Sequence, residues 1–239
     1  MEEIAVPQAA SSDEAPWSFP RRFISLFTSP RALFEHLEQR PSWFVPLLVT
    51  ICFVLLFVVV LWNPVMLPES LERMAGSPNA EQGEAMLTRN GLMFGIVFGG
   101  IGSVFAYLLY ALFVWLVGAF MLGGRLNYRQ SLSIVSHTSL LIIPAEVVRI
   151  PLAFMAGSSK VSVGPGMLFP IGQAEGFLGK FWSSLLMSFD LFTLWQTALV
   201  ALAVAIVARV STTRANLGIW SLFLVTALCF GLLGALSPN

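Results

Sequence analysis

Twenty consecutive residues, Trp43 to Trp62, contain no charged side chain and carry a tryptophan at each end. A spanning helix needs about 20 mostly apolar residues, because it rises about 1.5 Å per residue across about 30 Å of hydrocarbon. Tryptophan favours the lipid–water boundary, so both ends of this block read as interface positions. Further apolar blocks follow at 92–122, 131–156, 184–208 and 216–236. Only helices satisfy their own backbone in lipid without closing a barrel, and runs this long exclude barrel strands. The sequence therefore predicts an all-α polytopic membrane bundle of about five transmembrane helices.

Composition agrees. Residues are 56% hydrophobic and 11% charged, against about 25% charged in soluble domains. Net charge is zero, which removes any bulk electrostatic case for nucleic acid. The two cysteines, Cys52 and Cys229, lie inside apolar blocks and read as small buried hydrophobes.

Three regions follow. Residues 1–16 carry Glu2, Glu3, Asp13 and Glu14 among small polar residues and read as a disordered tail. They lack the basic-then-apolar order of a cleavable signal, so the first span is expected to direct its own insertion. Residues 17–41 form an amphipathic segment, with Ser29-Pro30 as an N-cap followed by proline at the first helical position. Leu33, Phe34 and Leu37 share one face, which suits a helix lying in the membrane interface or a surface helix packed on the spans. Residues 42–236 hold the transmembrane domain. Its second block exceeds one span and predicts tilt or a helical extension into water. The loop at 63–91 is acidic, and the loop at 157–183 is rich in glycine and apolar residues, which suits a dip into the interface.

Basic residues orient the chain. With the N-terminus inside, the inner side holds Arg21, Arg22, Arg31, Arg40, Arg125, Arg129, Arg209 and Arg214, and the outer side only Arg73, Arg89, Lys160 and Lys180. That distribution predicts a cell-membrane protein with a cytoplasmic N-terminus and a C-terminus outside.

Three constellations could carry function. Gly91, Gly95, Gly99 and Ser103 place a small residue at every fourth position. Such a ridge lets helices approach closely, either inside the bundle or between two copies. Glu146, Arg149 and Asp190 are intramembrane charges, each costing about 2.5–3.5 kcal/mol at the membrane centre on insertion scales. Arg149 and Asp190 lie at matched depth near the outer face, and Glu146 is within helical reach of Arg149. The three predict a polar network between spans three and four, either a clamp or a site for an ion, proton or head group. Arg21, Arg22, Arg31 and Arg40 surround the amphipathic segment and suit anionic lipid head groups.

Enzyme signatures are absent. The sequence holds no H-E-x-x-H pair, G-x-S-x-G turn or Walker loop. His137 is the only histidine inside a span, which leaves no multi-histidine metal site. No metal, cofactor or catalytic residue is expected.

Several short stretches resemble a known family. Phe27 to Phe34 (Phe-Thr-Ser-Pro-Arg-Ala-Leu-Phe) and Arg40 to Pro46 (Arg-Pro-Ser-Trp-Phe-Val-Pro) resemble the opening of bacterial YIP1-family proteins. Gln130 to Val135 is similar to their entry into span three. Phe189 to Trp195 (Phe-Asp-Leu-Phe-Thr-Leu-Trp), with Ala208 to Ser211 after it, is similar to their fourth span. The resemblance implies five helices and a cytoplasmic N-terminus. Eukaryotic relatives associate with Rab GTPases, but their Asp-Leu-Tyr-Gly-Pro type motif is missing: Asp190-Leu191 continues as Phe-Thr. A GTPase partner is therefore not carried over. The expected role is a non-enzymatic membrane scaffold whose partners are the bilayer, other membrane proteins or a second copy. The alternative is a small oligomeric transporter or channel using Glu146, Arg149 and Asp190.

Overall fold

The computed structural model describes residues 17–75, 80–168 and 176–236, and among them only helices, turns and irregular segments occur. The tail expected at 1–16 lies outside the described residues. Among the described residues ten α-helices run in chain order: α1 Phe19–Thr28, α2 Pro30–Gln39, α3 Phe44–Leu61, α4 Leu67–Met74, α5 Ala80–Trp115, α6 Tyr128–Thr138, α7 Ile142–Ala156, α8 Gly176–Met187, α9 Leu191–Val207 and α10 Thr212–Leu236. Shorter π and 3-10 turns join several of them.

Among the described residues four continuous helical stretches are long and apolar enough to cross a membrane: Phe44–Met74, Ala80–Met121, Tyr128–Ala156 and Thr212–Leu236. A fifth crossing exists if α8 and α9, bent by 58° at their junction, count as one span. Outward faces carry exposed Phe98, Ile101 and Phe105 on α5, and Leu224, Phe230 and Leu233 on α10. Apolar surface on this scale suits lipid contact and is not tolerated in water.

Prolines set the irregularities. Pro64 can give no backbone N–H and its ring crowds the preceding turn, so the helix widens into a π turn over Trp62–Met66. Pro144 removes a bond to the Leu140 carbonyl, and the chain tightens into a 3-10 turn at Ser139–Leu141 just before it. The third span therefore divides between His137 and Glu146. The second span runs 42 residues, Ala80–Met121. Its polar start, with Glu81, Glu84 and Arg89, extends as helix beyond the apolar part.

The core is built at one end of the bundle. Leu33, Phe34 and Leu37 of α2, with Leu26 of α1, are fully buried against a cluster that includes Ile134, Val135, Val200, Val204 and Ile219. Each such side chain contributes about 1.5–3 kcal/mol. The apolar face of α2 is thus spent on α6 and α9, not turned to lipid. Residues 17–41 thus fold as two helices, α1 and α2, that part at Ser29, with the apolar stripe of α2 covered by protein.

α10 packs along α8 and α9. Its Gly231 and Gly234 lie against Phe181 and Ser184, so these two glycines allow the close α8–α10 crossing. Cys52 and Cys229 are exposed on outward faces of α3 and α10. They are apolar-surface residues and not the interior residues the sequence implies.

Candidate functional site

The fourth apolar block is not one helix. α8 ends at Met187, and Asp190 stands as the N-cap of α9 with an extended backbone. Aspartate is a poor helix-interior residue and a good cap, because its carboxylate accepts from amides that the first turn leaves unpaired. Here Asp190 Oδ1 accepts from Phe192 N at 2.9 Å. The continuous span expected over 184–208 is therefore corrected to two segments with Asp190 at the break.

The break is filled by the loop that follows α7. Val163 N donates to Asp190 Oδ2 at 2.6 Å, and Ser162 Oγ donates to the same oxygen at 3.4 Å. Leu191 N returns a bond to Val163 O at 2.9 Å. Gly164 passes so close to the Phe189 carbonyl that any Cβ there would overlap it, and Gly166 sits against Met187. These loop residues escape sequence reasoning, although two glycines spaced by one residue in an otherwise apolar loop were a usable signal of close approach.

Arg149 of α7 completes the junction. Its Nη2 lies 2.6 Å from Asp190 Oδ1, and its Nη1 lies 3.4 Å from Glu146 Oε1. The guanidinium also sits 5.9 Å from the Phe192 ring centre. Asp190 and Glu146 are buried. Glu146 Oε2 and Arg149 Nε have no hydrogen-bond partner among the described residues. One face of Arg149 borders a small cavity of about 150 Å³, shared with Tyr107, Ser139, Thr193 and Gln196. So the structure brings Glu146, Arg149 and Asp190 together in one partly satisfied cluster, with Asp190 the best-satisfied member.

The small-residue ridge divides. A Cβ on Gly91 would overlap the Trp62 ring, and one on Gly95 would come 3.3 Å from Val58, so both pack on α3 and the π turn that follows it. Gly99 faces open space, with nothing within 4 Å of such a Cβ. Ser103 is half-buried one turn further on.

The four N-terminal arginines have separate surroundings. Arg21 lies over the Trp17 ring at 4.2 Å, and Arg31 pairs with Glu35 at 3.0 Å on the exposed face of α2. Arg22 donates to Ser42 Oγ. Arg40 is exposed at the end of α2. His137 is fully buried, and its Nδ1 lies 2.8 Å from Ser133 O. A carbonyl only accepts, so Nδ1 carries the proton and Nε2 is left as an acceptor without a donor among the described residues. No three His, Cys, Asp or Glu side chains converge among the described residues.

A helical bundle with several apolar crossings and a charged junction buried between two of them defines a multi-pass membrane protein. Residues 24–234 match the Yip1 domain, so the chain belongs to the Yip1 family. It is 28% identical over 206 residues to the membrane protein YknW of Bacillus subtilis (strain 168), covering 84% of this chain and 83% of that protein. No solved structure matches.

Proposed function

We propose that this chain is a non-enzymatic organising protein of the cell membrane, and that the Glu146–Arg149–Asp190 cluster is its internal clamp. The observation that carries this is the satisfaction of Asp190. It accepts from Arg149, Ser162, Val163 and Phe192, four donors on three separate segments. A carboxylate whose lone pairs are so engaged is suited to holding a loop and two helices in register. It is poorly suited to a passing ion or proton. Other membrane proteins or a second copy, together with the bilayer, are the partners such a rigid bundle would organise.

Orientation is part of the reading, with the N-terminus in the cytoplasm and the C-terminus outside. Support comes from which segments meet. Glu38 is joined to Arg209 and Gln130, and Arg125 N bonds to Ala208 O, so the arginine-rich turns share one end. Glu69 is joined to Ser158 and Ser159, near the junction at the other end.

A second reading, a small oligomeric transporter, is favoured only by the polar cavity beside Arg149. Cysteine placed at 190 in a variant lacking Cys52 and Cys229 separates the two. Protection from a membrane-impermeant thiol reagent in the folded variant supports the clamp. Ready labelling from outside means an aqueous path and favours transport.

A further inference from the structure

A second polar constellation lies at the N-terminal end of the bundle, away from the charged junction. Trp17, Phe19, Arg22, Ser42, Trp43 and Arg129 line a cavity of about 500 Å³ between the start of α1, the entry to α3 and the start of α6. Two arginines therefore line one space, and among the described residues no carboxylate lines it. Arg129 is exposed but Arg22 is half-buried, and a half-buried arginine is ordinarily paired with an acid.

Donors there are underused. Arg22 Nη1 is engaged by Ser42 Oγ, but its Nε is buried without a partner among the described residues. The Trp17 indole N–H is likewise buried with no acceptor. Ser42 accepts from Arg22 and keeps its own hydroxyl proton to give. Partial burial holds the Arg22 guanidinium below its ordinary pKa, with no acid among the described residues to offset it. Positive charge and unused donors here suit an anion.

The walls indicate which anion. Two tryptophans mark the lipid–water boundary. Directly beyond them Phe44, Val45 and Leu48 are exposed on the first turns of α3. Phe44 and Leu48, four residues apart, share one face of that helix. A ligand with a charged head and two apolar tails would fit both surfaces at once.

We infer that this cavity binds the phosphodiester of an anionic glycerophospholipid, with Arg22 and Arg129 on the phosphate and the acyl chains along Phe44 and Leu48. Arginine forks match phosphate oxygens in pairs, which a point charge cannot do. The site does not depend on the clamp reading. It also differs from general attraction by exposed arginines, because Arg31 and Arg40 do not line the cavity.

Purified full-length protein would be mixed in detergent with dioleoylphosphatidylglycerol, and bound lipid counted by native mass spectrometry. Arg22→Gln with Arg129→Gln should lower apparent affinity by about tenfold or more, one charge-assisted contact being worth about that factor. Arg31→Gln with Arg40→Gln should change it by less than about twofold. Equal losses in both pairs, or undiminished binding in the first, would overturn the site. Displacement by low-millimolar inorganic phosphate would replace the lipid with a free anion and overturn it as stated. Arg129 is exposed, so Arg129→Gln alone folds and gives a reading if the double variant does not; unchanged binding there also overturns the proposal.

Discussion

Arg149 reaches from α7 across to Asp190, Nη2 to Oδ1 at 2.6 Å, and meets it at the N-cap just before α9 and not within a helix. The carboxylate therefore holds two jobs, pairing the guanidinium and capping α9. Asparagine keeps the second job and alanine keeps neither. Asp190→Ala should cost about 3–5 kcal/mol, as expected when one partner of a buried pair is removed. Asp190→Asn should cost less, by about the 0.5–2 kcal/mol of a lost cap. Denaturant unfolding in mixed micelles checks the order, and equal losses would deny the capping role.

Glycines separate contact from open surface. Gly164 abuts the Phe189 carbonyl, whereas Gly99 has free space around it. Gly164→Ala should destabilise by about 1–3 kcal/mol, since backbone must shift to admit the methyl group. Gly99→Ala should stay within about 0.5 kcal/mol for the monomer. If Gly99→Ala instead weakens self-association seen by cross-linking, the open part of the ridge is a contact between copies.

Helix α9 ends in a Schellman-like turn with an unusual residue. Val210 N bonds to Ala205 O at 3.1 Å and Arg209 N to Ile206 O at 3.2 Å. Arg209 takes a positive φ of 55°, where glycine is usual. Its Nε lies 2.7 Å from Glu38 Oε1, an exposed pair. Left-handed backbone costs a side-chain-bearing residue about 1–2 kcal/mol, and an exposed ion pair returns about 0–1 kcal/mol. Arg209→Gly should therefore be more stable than Arg209→Ala by about 1 kcal/mol, read from thermal midpoints.

Cys52 and Cys229 report on the environment of α3 and α10. Both are exposed from the protein yet sit in apolar helices. In intact cells a membrane-impermeant thiol reagent should label neither, while a lipid-soluble maleimide labels both. Impermeant labelling of Cys229 would remove its part of α10 from the bilayer.

Crossings were legible because apolar length is a one-dimensional property. Trp43 to Trp62 and the block at 216–236 needed no knowledge of partners. What surrounds Arg149 was partly legible, since depth follows from counting residues along a rigid rise. The break at Asp190 was not: residues 184–208 are apolar enough to hide it, and only the returning loop at Ser162 and Val163 makes the interruption stable. What covers the apolar face of α2 was not legible for a related reason. An apolar stripe looks the same whether lipid or α9 will cover it. The cavity holding Arg22 and Arg129 joins residues over a hundred positions apart, which no local pattern displays.

The distance in sequence between Arg149 and Asp190, 41 residues, has a meaning for how the chain is made. At about 5–20 residues per second, Arg149 is synthesised roughly 2–8 s before its stronger partner exists. Throughout that interval the acid nearest to hand is Glu146, one turn away on the same helix. The weaker, local ion pair is thus first in time and the tighter, distant one second. A span carrying a lone arginine would have to wait in the bilayer unaccompanied; this one brings its escort along.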